Sequence, residues 1–299
     1  MRGRAYAKVN LSLEVLHRRD DGYHELLSVF QTVSLHDELS LEPADELRLA
    51  CDLPELLGDD NLVLRAARLL DRGGHFQLRK GIPIAGGMGG GSSDAALALR
   101  LLDGVYRMGL SAEELHTAAA ELGSDVPFFL TAGTASVEGR GEHVTPLVDL
   151  PAQWLAVLNP RVPLSTPAVF RELRPEEYAE GKATSAWIGA WSAARSARSP
   201  SAAVRQRGEP QPAEARNSEA LPPSINSLQA PAERLEPRIV AAREALLAAG
   251  AERVLLSGSG PTVFGFCRDE AHAREVAGKT GGWPARFVGR AEALALAQD

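Results

Sequence analysis

The most informative segment of the sequence is Gly81-Ile-Pro-Ile-Ala-Gly-Gly-Met-Gly-Gly-Gly-Ser-Ser-Asp-Ala-Ala96. Five of the six residues 86–91 are glycines, and an apolar stretch with the character of a helix, AALALRLLDGVYRM, follows at 95–108. Glycine permits positive φ angles and a close backbone approach, and a helix start presents unpaired N–H groups at the positive end of its dipole. The pattern therefore predicts a phosphate cradle, with a flexible turn as the alternative.

This glycine-rich loop matches neither standard nucleotide fingerprint. No Gly-Lys-Ser/Thr ends it, as a Walker A loop requires, and the spacing does not fit GxGxxG. We expect Ser92, Ser93 or Asp94 to cap the helix that follows it.

Upstream of the loop, residues 7–51 are typical of antiparallel strands. Val9, Leu11, Leu13 and Val15 alternate with polar residues, and three further strand-like runs follow at 26–35, 37–43 and 45–51. Asp60 or Asn61 is expected to cap a helix that runs to about Leu70, and a short strand follows at 75–80. Downstream, Ser111 and Glu114 form a capping-box pattern.

The rest of the chain is predicted to form a second unit. After a turn through SDVPFFL at 124–130, strands are expected near 134–138 and 144–148, and we place a domain boundary near Leu150, which gives domains 1–150 and 151–299. A helical region at 231–249, strands at 252–256 and 262–267, a helix at 270–278 and a strand near 285–289 indicate a small α+β sandwich.

Residues 192–223 have a different composition. Of these 32 residues, 23 are Ser, Ala, Arg or Pro, and the only sizeable aliphatic residues are Val204 and Leu221. Such a stretch buries too little apolar surface to offset the entropy of ordering the chain. We expect a disordered insertion or linker, with an arginine interaction patch as the alternative.

The net charge and the cysteines indicate which partners and which cellular compartment to expect. The 39 acidic residues exceed the 32 basic ones, so the net charge of −7 argues against nucleic acid as a partner. Two cysteines 216 positions apart, Cys51 and Cys267, indicate free thiols in a reducing compartment. No run of about 18 apolar residues is present, so we expect a cytoplasmic protein with no membrane association.

Several polar residues are candidates for chemistry. Lys8 and Asn10 share one face of a strand, which fits either a functional pair or a solvated edge. Asp125 lies in a turn before Pro127, where it fits either an Asx-turn or a general base for a hydroxyl. HExxH, GxSxG and acidic metal-binding clusters are absent from the sequence, which argues against zinc hydrolase and α/β-hydrolase chemistry.

Taken together and in order, five motifs resemble those of the GHMP kinase superfamily, named for galactose, homoserine, mevalonate and phosphomevalonate kinases. They are AKVN at 7–10, DGYH at 21–24, GGGSSDAA at 89–96, GSDVP at 123–127 and SGSGPTVF at 257–264. The resemblance covers about residues 5–175 and 224–290. It implies an α+β, two-domain fold, with a ribosomal-protein-S5-like N-terminal domain and a ferredoxin-like C-terminal domain.

The same resemblance implies transfer of the γ-phosphoryl group of ATP, with Mg²⁺, to a hydroxyl of a small cytidyl substrate. It implies no obligate protein partner. Lys8 and Asp125 would be the catalytic pair. The substrate would contact Asn10, Tyr23, His24, Thr166 and Phe170, with His24 hydrogen-bonded to cytosine and the two aromatic rings on its faces. ATP would contact Asn61, Lys80, Gly86, Gly87, Gly89, Gly90, Gly91, Ser92 and Ser93.

Three departures from the family pattern are visible, and three functional alternatives stay open. Asn226-Ser-Leu-Gln replaces the usual Asn-Asp-Leu-Glu, which puts in doubt a role of that segment in holding the C-terminal half. Met88 stands where leucine is usual, which should alter packing more than phosphate contacts, and the stretch at 192–223 looks like an insertion. No metal ligand is evident, and Glu121 is either one or an ordinary surface residue. The alternatives are a cytidyl-substrate kinase, a GHMP kinase for another small alcohol such as mevalonate or homoserine, and a non-catalytic ligand sensor.

Overall fold

The computed structural model describes residues 1–196 and 221–297. The strands in that part of the chain are β1 (Arg2–Arg18), β2 (His24–Glu42), β3 (Leu47–Cys51), β4 (Gly74–Arg79), β5 (Thr134–Gly139), β6 (His143–Pro146), β7 (Trp154–Leu158), β8 (Val254–Leu256), β9 (Val263–Cys267), β10 (Trp283–Arg286) and β11 (Leu296–Ala297). The helices are α1 (Leu62–Leu69), α2 (Gly90–Tyr106), α3 (Ala112–Leu122), α4 (Val126–Thr131), α5 (Thr166–Glu172), α6 (Lys182–Ser196), α7 (Gln229–Leu235), α8 (Arg238–Ala249), α9 (Glu270–Thr280) and α10 (Arg290–Ala293).

The first sheet has seven strands built around the long antiparallel pair β1 and β2. Its order is β11-β1-β2-β4-β3, and β5 also pairs with β2 and carries β6. The antiparallel arrangement expected for residues 7–51 is wrong at β3, which pairs in parallel with β4 and does not pair with β2 in the sheet. The runs at 26–35 and 37–43, predicted as separate strands, are one strand. Asp37 lies within this strand, where its carboxylate is fully buried and paired with Lys80.

Helices α1 to α4 cover one face of this sheet and enclose a core with β2, β4 and β5. Asn61 caps α1, and the Ser111–Glu114 capping box opens α3, as the sequence predicts. Two local predictions are wrong. No serine or Asp94 caps α2, because the helix begins earlier, with Gly89 at its N-cap, and residues 126–131 form α4 instead of a turn.

The second sheet is antiparallel, in the order β10-β7-β9-β8, and packs against α8 and α9. The helical region predicted at 231–249 is two helices, α7 and α8, separated at Glu236 and Pro237. Proline lacks the N–H that would continue the helical ladder, which accounts for the break.

A shared core joins the two sheets. Val9, Leu11 and Val29 of the first sheet pack with Leu155 and Phe264 of the second. Isolated bridges also link Leu13 to Asn226 and Val33 to Phe287. After β10 the chain returns to the first sheet, where β11 pairs with β1. A domain boundary near Leu150 stays a proposal. Because β11 follows the second sheet in the chain but pairs with β1 of the first, one boundary does not separate the two sheets completely.

The predicted insertion at 192–223 falls mostly on residues 197–220, which lie outside the described residues. Of its flanks, residues 192–196 belong to α6, and Leu221 packs against the shared core. Among the described helices, none combines the length and apolar character needed to cross a bilayer.

Candidate active site

Two cavities meet at the glycine-rich loop. The larger, of about 810 Å³, is lined by residues of the first sheet, by helix α5 and by Gly258 and Ser259, which lie between β8 and β9. The smaller, of about 390 Å³, lies on the first sheet's side of the loop. Gly87, Gly89 and Ser92 line both cavities, so the loop forms their common wall.

The structure places most of the predicted site residues in these two cavities. Lys8, Asn10, Tyr23, His24, Asp125, Thr166 and Phe170 line the larger one. Asn61, Lys80, Gly86, Gly87, Gly89, Gly90, Gly91 and Ser92 line the smaller one. Ser93 is buried and lines neither of the two. Glu121 is exposed on α3 and also lines neither.

Lys8 and Asp125 form an ion pair in the larger cavity, with 3.5 Å between Nζ and Oδ2. The lysine side chain is only 4% exposed, whereas the aspartate is 34% exposed. The ammonium also donates to Asn10 Oδ1 at 2.9 Å and lies 4.3 Å from the centre of the Phe30 ring. These contacts fix a buried cation beside a carboxylate that a ligand can reach.

The solvated-edge alternative for Lys8 and Asn10 is wrong, since these residues are 3% and 1% exposed. Strand β1 is covered on both faces, and β-bulges interrupt its alternation on either side of this pair. Asn10 donates to Ser28 Oγ at 3.1 Å, and so links β1 to β2 within the site.

Asp125 lies at the N-cap position of α4, where its side chain makes no capping hydrogen bond. The Asx-turn alternative is therefore not what the structure shows. Its carboxylate is left for contact with Lys8 and with the cavity, which is the arrangement that a base for a bound hydroxyl needs.

The glycine-rich loop owes its shape to positive φ at two glycines. Gly87 and Gly89 have φ of 73° and 72°, and a Cβ on Gly89 would lie 2.6 Å from the Phe129 ring. The first backbone hydrogen bond of helix α2 runs from Ser93 N to Gly89 O, at 2.8 Å. The preceding N–H groups at the start of α2 have no partner within the helix, which is the arrangement that binds anions.

The second sheet supports this loop through the segment 257–262. Ser257 Oγ donates to Gly87 O at 3.0 Å, and Thr262 N donates to Gly86 O at 3.3 Å. A Cβ on Gly87 would lie 2.4 Å from Ser257 O, so only glycine allows this approach. The two glycine clusters that the sequence shows separately are thus one assembly.

Asn226 holds the segment 257–262 in place. Its amide donates to Leu256 O at 2.8 Å and to Gly258 O at 2.9 Å, while Ser227 Oγ accepts from Val15 N at 3.2 Å. Gln229 Oε1 accepts from Leu256 N at 3.3 Å. The segment that begins at Asn226 therefore makes these contacts with neutral side chains, without the two carboxylates that are usual in the family.

The outer end of the larger cavity is aromatic. Tyr23 is 55% exposed, and the Arg140 guanidinium lies 4.8 Å from the centre of its ring. His24 stacks on Phe170, with ring centres 5.0 Å apart at 26°, and its Nε2 lies 3.4 Å from Tyr178 Oη. Burial and the Arg18 guanidinium lower the pKa of His24, so its ring is neutral at neutral pH.

Sequence reasoning missed Tyr178 and Arg140 in this cavity. Both lie outside the recognised motifs, so no pattern in the sequence marks them. Thr166, which the resemblance selects, accepts or donates a 2.7 Å hydrogen bond with Ser259 of the segment 257–262.

In the smaller cavity, two predicted residues are already engaged. Asn61 accepts from Val63 N and donates to Leu56 O as the cap of α1. The Lys80 ammonium is bound between the carboxylates of Asp37 and Asp94. Their side chains therefore shape the cavity wall, and any direct contact of either with a nucleotide stays a proposal.

Comparison with known proteins places the chain in a family. The model of the GHMP kinases N-terminal domain matches residues 61–133, and that of the GHMP kinases C-terminal domain matches residues 202–279. A 4-diphosphocytidyl-2-C-methyl-D-erythritol kinase from Kineococcus radiotolerans is 43% identical over 291 residues, covering 92% of this chain and 83% of that protein. The same enzyme from Symbiobacterium thermophilum is 42% identical, covering 92% of each.

Solved structures agree with this placement. A crystal structure of 4-(cytidine 5'-diphospho)-2C-methyl-D-erythritol kinase superposes with a TM-score of 0.78 at 36% identity, over 97% of this chain and all of the other. A crystal structure of L. major mevalonate kinase in complex with R-mevalonate has a TM-score of 0.68 at 14% identity, over 97% of this chain and 96% of the other, which shows the fold alone. The predicted two-domain α+β fold and kinase class are confirmed. This chain belongs to the 4-diphosphocytidyl-2-C-methyl-D-erythritol kinase family of the GHMP kinases.

Proposed function

We propose that this kinase transfers the γ-phosphoryl group of ATP to the 2-hydroxyl of 4-diphosphocytidyl-2-C-methyl-D-erythritol, a step of the non-mevalonate route to isoprenoid precursors. The observation that carries the proposal is one cavity lined by the Lys8–Asp125 pair, the glycine-rich loop and the aromatic end. A kinase needs a phosphate cradle and an acceptor-activating group within reach of each other, and this cavity supplies both.

In the proposed mechanism, Asp125 accepts the proton of the substrate hydroxyl as that oxygen attacks the γ-phosphorus. The Lys8 ammonium, 3.5 Å from the Asp125 carboxylate, stabilises the negative charge that develops on the transferring group. The N–H groups at the start of α2 hold the phosphates, so the chemistry depends on positioning and charge stabilisation.

Magnesium is proposed as a companion of ATP. Mg²⁺ at kinase sites is usually bound through substrate phosphates, with few ligands from the protein. The residues fit that arrangement, since the Ser92 hydroxyl and the Asp125 carboxylate line the cavity that the glycine-rich loop borders, where they would help hold such an ion. The ion would neutralise charge on the phosphates.

The cytidyl part of the substrate is proposed to bind at Tyr23, His24 and Phe170. Because His24 stacks on Phe170 in the structure, a base that uses this face of Phe170 has to displace the histidine ring. The aromatic end favours a base-bearing substrate over mevalonate or homoserine, which offer nothing to stack on an aromatic ring. The presence of Lys8 and Asp125 disfavours a non-catalytic sensor.

A comparison of three alcohols tests the proposal. We expect ATP consumption with the cytidyl alcohol and none above background with mevalonate or homoserine at equal concentration. Comparable kcat/KM with mevalonate or homoserine would favour the second hypothesis. Binding of the cytidyl alcohol without turnover of any of the three would favour the sensor.

Placing the protein in the cytoplasm is also a proposal. It rests on the two free thiols, Cys51 and Cys267, which suit a reducing compartment. We likewise propose that the partners are small molecules, without nucleic acid, membrane or an obligate protein partner.

Gly91→Val is expected to weaken ATP binding about tenfold or more, which corresponds to about 1.4 kcal/mol. A Cβ at Gly91 would meet only Leu62 Cδ1, at 3.7 Å, so the fold tolerates it, yet the branched side chain would project into the smaller cavity. Calorimetric titration with ATP measures the effect. Gly278→Val is the matched control, because Gly278 lies in helix α9 with nothing within 4 Å. Equal ATP affinity of both variants would mean that the loop is only a turn.

Phe170→Ala is expected to weaken the cytidyl substrate by about 1 to 3 kcal/mol, if base stacking in single-strand-binding proteins is a fair guide. His24→Ala should weaken it further through lost hydrogen bonds. ATP affinity should be unchanged in both, because the loop is a separate segment. Phe170→Tyr keeps the ring and should recover most of the affinity. Parallel loss of both ligands, or of neither, would show that the base binds elsewhere.

A further inference from the structure

We infer that Asp37, Lys80 and Asp94, here called the buried triad, position the glycine-rich loop to receive ATP. The inference rests on the proposed function, because it assigns a role in binding the nucleotide. The three residues come from separate elements: Asp37 from β2, Lys80 from the end of β4, and Asp94 from the second turn of α2. Lys80 joins the other two, with its ammonium 2.6 Å from Asp94 Oδ2 and in contact with Asp37 Oδ2.

The triad fastens the loop at both of its ends. At the start, Asp37 Oδ1 accepts hydrogen bonds from Gly81 N at 2.6 Å and from Ile82 N at 2.8 Å. At the far end, Asp94 ties the first two turns of α2 to Lys80. Residues 82–93 are thus closed into a loop whose two ends cannot separate without breaking a buried ion pair.

Because the buried triad is shielded from water, its ion pairs hold the glycine-rich loop firmly in one position. The side chains of Asp37, Lys80 and Asp94 are 0%, 6% and 4% exposed. Burial raises the pKa of Asp94, and the Lys80 ammonium opposes the rise. Asp94 Oδ1 has no hydrogen-bond partner among the described residues. Asp94 therefore serves the triad mainly as an acceptor, through Oδ2, for the Lys80 ammonium.

This arrangement gives Lys80 and Asp94 a positioning role. The phosphate-facing N–H groups begin at Gly90, four residues before Asp94, so a shift of α2 relative to β4 would move them directly. The Lys80 ammonium is bound within the triad, and its influence on the nucleotide passes through the loop backbone.

Two variants of Asp94 with the same shape test the inference. Asp94→Asn keeps an acceptor for Lys80, whereas Asp94→Leu removes it and leaves Lys80 paired with Asp37. For Asp94→Leu we expect the KM for ATP to rise on the order of tenfold, the effect typical of losing a group that supports direct ligand contacts. The KM for the alcohol should stay within twofold, and Asp94→Asn should restore ATP affinity. If Asp94→Leu does not fold, Asp94→Ala, which also lacks an acceptor for Lys80, replaces it in the comparison with Asp94→Asn.

Glu14→Gln is the control for general destabilisation. Glu14 is a buried carboxylate that accepts from Gly181 N and Thr184 N at the start of α6, away from the loop. The Glu14→Gln exchange should lower the melting temperature without changing the KM for ATP. Equal KM values for ATP in the Leu and Asn variants, or a parallel rise in the KM for the alcohol, would overturn the inference. A wild-type protein that binds no ATP would instead contradict the proposed function.

Discussion

Asp125→Asn is expected to reduce kcat by about 10²- to 10⁴-fold, the usual effect of removing a general base. The amide keeps the shape of the carboxylate but cannot accept the proton of the substrate hydroxyl. Since Asp125 is one-third exposed and makes no capping hydrogen bond, the change should cost little stability. Steady-state kinetics at saturating substrates measures kcat, and calorimetry should show substrate affinity within a few fold of wild type.

The matched control is Asp71→Asn, the same exchange at an exposed residue that lines neither cavity. Its φ of 52° is one that asparagine tolerates well, so kcat should be unchanged. A folded Asp125→Asn protein with a kcat near that of the control would remove Asp125 from the mechanism.

Lys8→Met is expected to reduce kcat by about 10²- to 10³-fold, as when one group that stabilises transition-state charge is lost. Methionine keeps much of the apolar stem against Phe30 but has no charge to share with Asp125 or with the phosphoryl group. The exchange also leaves Asn10 Oδ1 without its donor, so some loss of stability will accompany it.

Thermal unfolding separates the two effects of this exchange. Assays well below the melting temperature of Lys8→Met should still show the full loss of kcat, with ATP affinity little changed. Lys279→Met, on the exposed face of α9, is the control for loss of a positive charge. A Lys8→Met enzyme that regains activity merely on cooling would assign Lys8 a structural role only.

Local signals in the sequence predicted much of the fold. The capping box at Ser111, the asparagine cap of α1 and the strands β4, β5 and β9 depend on residues close in sequence, and each lies where it was predicted. The glycine-rich loop was likewise placed before its helix. These features could be predicted because short-range geometry determines them.

The errors came where distant residues decide the outcome. Strand alternation left open whether Lys8 faces solvent, because nothing near it in the sequence shows that the glycine-rich loop and the segment 257–262 lie against it. The runs at 26–35 and 37–43 were predicted as separate strands, since the partner that pairs with Asp37 in the buried interior, Lys80, is 43 positions away. The N-cap of α2, expected at Ser92, Ser93 or Asp94, is Gly89, whose left-handed conformation lets the helix begin earlier.

The aromatic end of the cavity shows the same limit. Tyr178 reaches His24 across 154 positions, and Arg140 reaches Tyr23 across the cleft between β5 and the loop before β2. Neither belongs to a motif, so only the tertiary structure brings them to the site.

Phosphorus NMR of the reaction mixture tests the central claim most directly, because it reports which oxygen receives the phosphoryl group. The 2-carbon of the proposed substrate bears a methyl group and no hydrogen, so a phosphomonoester formed there shows no coupling to a proton on its ester carbon. We predict one new monoester singlet in proton-coupled spectra, equal in amount to ADP, with the cytidyl diphosphate intact. A monoester resonance split by protons on its ester carbon, or inorganic phosphate released in its place, would contradict the account.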